Sequence, residues 1–167
     1  AAEIVGIDIN FRNVAVCRKK LKRSGDGRIR FVVSGYADAE PEGYFDAVFC
    51  MAVLRHGGLI VSRPEKCDSF VRFDDFEKAV SGLARVLKPG GYLAIRGSNF
   101  RFSDAAASAG FDVVLNLGKG PRTDTPVYGP DNRILPDTPG DDGVFCKRNQ
   151  SDFSFQNRAD SGAGTSN

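Results

Sequence analysis

At 167 residues, with ordinary apolar and charged fractions, the chain is long enough for one domain with a real core. Its net charge of +2 is too small for a long-range field to single out nucleic acid or an acidic membrane surface as a partner. Cys17, Cys50, Cys67 and Cys146 include no CxxC pair and His56 is the only histidine, so neither a metal site nor a disulfide framework is indicated, and reduced cysteines in a cytoplasmic protein are expected.

The first apolar run, Ile4 to Ile9, reads as a buried strand that carries an acid near its end. In the following "NFRNVAVCRKKLKRSGDG", Val14, Cys17 and Leu21 recur at helical spacing, and Gly25 and Gly27 end the pattern. The strands "RIRFVV" and "FDAVFC" come next, separated by "SGYADAEPEGY", and both are apolar enough to be buried on two faces as parallel strands are. "MAVLRHGGLIVSRPEKCDS" reads as a loop or short helix. In "FDDFEKAVSGLARVLKPGG", Phe76, Val80, Leu83, Ala84 and Leu87 define a helix, with Asp74 and Glu77 as a capping box and Pro89-Gly90-Gly91 as its stop. The strand "YLAIRG", a short helix over Ser103 to Ala109, and the strand "FDVVLN" follow.

Residues 117–142 hold five of the eight prolines and are expected to form a long loop with a small hairpin turned at "GPDN". A last strand, "GVFCKR", is expected to pair antiparallel with "FDVVLN", since no helix joins the two. The folded part is thus placed at 1–148, and 149–167 is a polar tail expected to be disordered. No stretch approaches the ~20 apolar residues of a membrane span, so neither an anchor nor an export signal is expected, and no internal repeat is seen. The fold class is α/β with a mostly parallel sheet and an antiparallel last strand.

In open α/β sheets ligands bind beyond the carboxyl ends of the strands. Asp8 stands at one such end, where a carboxylate can accept both hydroxyls of a nucleoside ribose; the alternative is that it caps the helix beginning near Phe11. At the second end, Asp38 can accept from an exocyclic amine and Tyr36 can pack on a ring face, although acidic loops are common without such a role. Cys50 and Met51 emerge at a third, and His56 beside them is the candidate general base, unpaired in the sequence with any nucleophile or metal. The basic cluster Arg18, Lys19, Lys20, Lys22 and Arg23 lies at a helix end, where cations suit the dipole without any phosphate to bind.

Taken in order, "EIVGIDIN", "YFDAVFCMAVLRH" and "FEKAVSGLARVLKPGGYLAI" resemble the class I S-adenosylmethionine-dependent methyltransferases, as does "AAASAGFDVVLN" with that family's late helix and sixth strand. "FDAVFCMAVLRH" and "GSNFRFSD" are further similar to the chemotaxis-receptor methyltransferases. The resemblance implies a Rossmann-like sheet, S-adenosylmethionine as cofactor and a separate methyl acceptor as partner. It also implies that Asp8 holds the cofactor ribose, that Ile9 packs on the adenine, and that Tyr36 and Ala37 lie in the adenine-contacting loop. That loop usually has an acid at the position of Tyr36, so Asp38 is the candidate substitute. Cys50 and Met51 would flank the methionine part of the cofactor. The family's first strand and its glycine-rich loop would precede "AAEIVGIDIN", so the chain is expected to be an N-terminally incomplete methyltransferase or, alternatively, a catalytically inactive derivative that binds a partner.

Overall fold

The structure is a computed structural model that describes residues 2–118 and 125–149; the tail expectation for 149–167 falls almost wholly outside them. The chain divides at Glu40 and Pro41 into two compact units.

The first unit is a strand–helix–strand crossover: β1 (Ile4–Asp8), α1 (Phe11–Ser24) and β2 (Ile29–Val33). Asn10 starts α1 by accepting the Arg12 N–H at 2.9 Å, and Gly25 ends it in the left-handed region at φ 68°, donating its N–H to Leu21 O. With a helix between them the two strands pair in parallel, from Ile4 opposite Ile29 to Asp8 opposite Val33. Val14 is the buried residue of α1. Charge also fixes this small unit: Arg30 bridges Glu3 and the nearly buried Glu40, and those carboxylates, Glu40 foremost, push the guanidinium pKa upward.

The second unit contains β3 (Phe45–Met51), α2 (Gly57–Ser62), α3 (Phe73–Val86), β4 (Leu87–Arg96), two 3₁₀ turns over Phe102–Asp104 and Ala106–Gly110, β5 (Phe111–Asn116) and β6 (Gly143–Lys147). Its sheet order is β3-β4-β6-β5, with β3 parallel to β4 and β6 antiparallel to both of its neighbours. Only the last strand is therefore reversed, as the sequence leads one to expect. The six strands nevertheless form two sheets, and among the described residues β1 and β3 each pair along one edge only.

Three local expectations are corrected. The helix whose stripe reads to Leu87 in the sequence ends at Val86, and Leu87 already pairs with Phe45, so the Lys88–Gly91 stretch, expected only as the helix stop, forms an irregularity at the start of β4. The Asp74–Glu77 capping box does not form. The helix instead begins at Phe73, whose N–H goes to Asn132 Oδ1 at 2.7 Å, and Glu77 accepts from the distant Ala106 N–H. The helix expected over Ser103–Ala109 is 3₁₀ rather than α. The hairpin at "GPDN" is present, with Tyr128 opposite Ile134 and Gly129 N donating to Arg133 O.

The apolar stripe of α3, Phe73, Phe76 and Val80, joins Leu93 and Ile95 of β4 in a core centred on aromatic rings. Phe100 lies 5.5 Å from Phe73 and 5.3 Å from Phe76 between ring centroids, and Tyr128 flanks it. The carboxyl end of α3 is closed by Lys147 of β6, whose Nζ donates to the Ala84 and Leu87 carbonyls. On the opposite sheet face Phe49 and Tyr92 stay exposed, at 75% and 48%. No described helix is long and apolar enough to cross a membrane.

Because the ring cluster is the centre of the second unit, Phe100→Ala should cost about 3–5 kcal/mol in a denaturant titration. Gly143 provides a second check: a Cβ there would stand 2.6 Å from the Leu115 carbonyl oxygen, so Gly143→Ala should destabilise by ~1–3 kcal/mol in the same measurement.

Candidate functional site

In the first unit the chain turns at the carboxyl end of β1. Asp8 Oδ1 accepts the Asn10 N–H at 2.7 Å and Oδ2 accepts Asn13 Nδ2 at 3.0 Å. The cap of α1 is Asn10, so Asp8 is not spent as the helix cap. A carboxylate has about four lone-pair sites, and these two bonds leave the others for a ligand's hydroxyls. The backbone bond from Asn10, then the side-chain bond from Asn13, hold the Asp8 pKa below its ordinary value.

The neighbouring strand end is drawn to the same place. Ser34 N donates to Asp8 O at 3.2 Å, and the Ser34 hydroxyl closes a turn over Tyr36 by donating to its carbonyl and accepting its N–H. Ile9 is 77% exposed, and its Cδ1 lies 3.6 Å from where a Gly35 Cβ would stand. Ala37 is buried and accepts the Glu40 N–H, Tyr36 is half-buried, and Asp38 is exposed. The structure thus brings Asp8, Ile9 and the Tyr36–Asp38 loop together at adjacent parallel strand ends, with an exposed apolar side chain beside an oriented carboxylate. Those residues fit a ribose with a flat base attached.

In the second unit Cys50 is buried, which pushes its thiol up to about 11, against a smaller opposing effect of a hydrogen bond with the Leu54 backbone. It is therefore a packing residue at neutral pH rather than a nucleophile. Met51 is 48% exposed at the end of β3. After it the backbone kinks: Ala52 adopts φ 57° and donates its N–H to Arg96 O, beside Gly97 at φ 68°. His56 lies beyond this kink, where its Nδ1 accepts the Gly58 N–H at 3.1 Å as the cap of α2 and its ring rests 5.1 Å from that of Phe70. With Nδ1 accepting, the neutral ring carries its proton on Nε2, so service as a base at Nε2 requires the cap to be released.

The residue that organises this end of the unit, Asn99, gives no signal in the sequence. It is fully buried just after β4. Its Oδ1 accepts His56 N–H at 2.7 Å and its Nδ2 donates to Pro126 O at 3.0 Å, while its backbone donates to Leu54 O and accepts from Tyr128 N. Tyr128 OH donates to Pro64 O, Ile134 N to Glu65 O and Cys67 N to Asn132 O. The irregular segment Met51–Ser69 and the described part of the proline-rich loop are thereby one structure. No described cluster of His, Cys, Asp or Glu is arranged to hold a metal ion.

The lowered Asp8 pKa gives a direct check. Its hydrogen bonds contribute stability above the unfolded-state carboxyl pKa, and that contribution is lost as pH falls through the lower folded value. Carboxyl NMR should show Asp8 titrating below an ordinary aspartate. Asn13→Ala should move that midpoint upward, and an unchanged midpoint would contradict the assigned bond.

Comparison with known proteins bears on the family and the fold. The family model described as "Methyltransferase domain" matches residues 1–95. The chain is 33% identical over 135 residues to the ubiquinone/menaquinone biosynthesis C-methyltransferase UbiE of Stutzerimonas stutzeri (strain A1501), covering 75% of this chain and 45% of that protein. It is 34% identical over 94 residues to the UbiE of Wigglesworthia glossinidia brevipalpis, covering 55% of this chain and 31% of the relative. The chain thus spans less than half the length of these curated relatives. Its fold resembles that of N-methyltransferase NodS from Bradyrhizobium japonicum WM9, with a TM-score of 0.52 at 14% identity over 88% of this chain and 74% of that one. The family match spans more than half of the sequence, and the chain belongs to the class I S-adenosylmethionine-dependent methyltransferases, in the methyltransferase-domain family.

Proposed function

We propose that the protein takes part in methyl transfer from S-adenosylmethionine, with the first unit holding the adenosine portion of the cofactor. The observation that carries this reading is the Asp8 carboxylate, fixed by Asn10 and Asn13 at the carboxyl end of a parallel strand while a different residue caps the helix. Asp8 accepts the ribose hydroxyls and Ile9 covers one face of the adenine. The Tyr36–Ala37 backbone lies along the base edge, and Asp38 takes the exocyclic amine in place of the family's usual acid.

When bound, S-adenosylmethionine supplies a methyl group already activated by the positively charged sulfur. The protein's remaining tasks are alignment, exclusion of water and, for some acceptors, removal of a proton. The joined segments Met51–Ser69 and 125–142 select the acceptor in this reading. His56 is the base for an acceptor that must lose a proton, at the expense of its bond to Gly58. Both curated relatives are named as C-methyltransferases of ubiquinone and menaquinone biosynthesis, which makes an electron-rich ring carbon the acceptor class to test first.

The test is the melting temperature of the chain with and without S-adenosylhomocysteine. At ~100 times its dissociation constant the ligand adds about 2.7 kcal/mol, roughly 5–10 °C for a chain of this size. The reading expects that shift and its loss in Asp8→Ala. A cooperative melt that the ligand leaves unmoved overturns it and favours the non-catalytic, partner-binding alternative.

A further inference from the structure

The basic cluster read from the sequence as a helix-dipole feature is distributed differently in the structure. Helix α1 carries six cations, Arg12, Arg18, Lys19, Lys20, Lys22 and Arg23, and no acid. Arg18 is exposed but engaged within its own unit: its guanidinium donates to Phe31 O at 2.7 and 3.2 Å. The other five are likewise exposed, and among the described residues no carboxylate pairs with any of them. The unit's neighbouring arginines, Arg28 and Arg30, are by contrast paired with Asp26, Glu3 and Glu40.

The helix dipole accounts for Lys22 and Arg23, which lie in the last turn. It does not account for Arg12, which lies in the first turn, where a cation opposes the dipole. What Arg12 shares with the others is a face: Arg12, Val16, Lys19 and Arg23 follow one another at i, i+4, i+7 and i+11, with Lys20 alongside. This makes a stripe about 16 Å long. Val16 lies within it at 54% exposure, and Phe11, at its start, is 65% exposed with the Arg12 guanidinium 5.7 Å from its ring centroid.

We propose that the solvent face of α1 docks on an anionic lipid surface. Exposed cations along one side of a convex helix, with Phe11 and Val16 able to enter the headgroup layer, match a flat sheet of negative charge. A single-stranded nucleic acid is usually held in a groove with successive aromatic platforms, and this face has one aromatic ring, at its end. The near-neutral total charge is no objection, because the Debye length of about 8 Å at physiological salt lets only the nearest charges act.

The test is co-sedimentation of the full chain with phosphatidylcholine vesicles, with and without phosphatidylserine, at low and physiological salt. The proposal expects binding only when phosphatidylserine is present, weakened by salt. Each cation removed should weaken it roughly fivefold, so Lys19→Gln/Arg23→Gln and, separately, Arg12→Gln/Lys20→Gln should each weaken it about 25-fold. These exposed substitutions should leave the far-UV melt in place. Arg72→Gln/Arg133→Gln removes equal charge from cations that are already paired, and should leave binding unchanged. No binding to phosphatidylserine vesicles, equal loss in the Arg72/Arg133 control, full retention in both α1 variants, or tighter binding to polyuridylate than to the vesicles would each overturn the proposal.

Discussion

Parallel pairing is the constraint on which the rest of this structure depends. Two parallel strands cannot be joined by a hairpin, so the chain must return by a crossover before it can pair again. α1 makes that crossover between β1 and β2, and the segment containing α2 and α3 makes it between β3 and β4. In each unit the two strand ends from which crossovers or loops depart then lie side by side. Asp8 and the Ser34–Asp38 turn are neighbours for this reason, and so are Met51–Ala52 and Gly97–Asn99. The chemistry-bearing residues gather at these ends because the topology leaves irregular backbone there, able to aim polar groups outward.

Irregular backbone is costly unless its hydrogen bonds are made, and the two units meet that requirement differently. In the first, short side chains satisfy the turns locally: Asp8, Asn10 and Ser34 each bond to backbone two residues away. In the second, a single buried amide does it over long sequence distances. Asn99 bonds to His56, 43 residues earlier, and to Pro126, 27 residues later, with both side-chain polar atoms engaged. Asn132 plays a related part by accepting the first N–H of α3. Asp141 likewise accepts the N–H groups of Phe102 and Ser103, and Asp142 that of Gly97. A fully satisfied polar network of this kind fixes one arrangement of the loops, because any other strands a buried donor or acceptor.

The order of strands and helices was legible from apolar runs and helical spacing, although the strands are less buried than expected: no residue of β1 or β2 is buried, and Cys50 alone is buried in β3. Ile4–Asp8, Phe45–Met51 and the stripe Phe76–Val80 declare themselves by spacing alone, and the hairpin at Gly129–Asn132 by its turn residues. The ends of elements were less so, since tertiary partners set them: Asn132 moves the start of α3 to Phe73, and pairing with Phe45 draws Leu87 into a strand. Asp8 could be singled out by its place at a strand end, but whether it capped the helix was undecidable until Asn10 was seen to do so. Asn99 and Tyr128 were invisible for a plainer reason. A buried polar residue whose partners lie tens of residues away leaves no local pattern, and the same holds for the charge on α1, where only geometry separates Arg18, bonded to Phe31 O, from the five cations that make no such bond.

In the proposed function, the turn after β1, with Asp8 at its head, receives the cofactor's adenosine. Amide hydrogen exchange with and without S-adenosylhomocysteine, resolved along the sequence, addresses that placement most directly. Slowed exchange concentrated in Asp8–Asn13 and Ser34–Asp38 is expected. Ligand-dependent slowing confined to other segments, with these two unchanged, would contradict it.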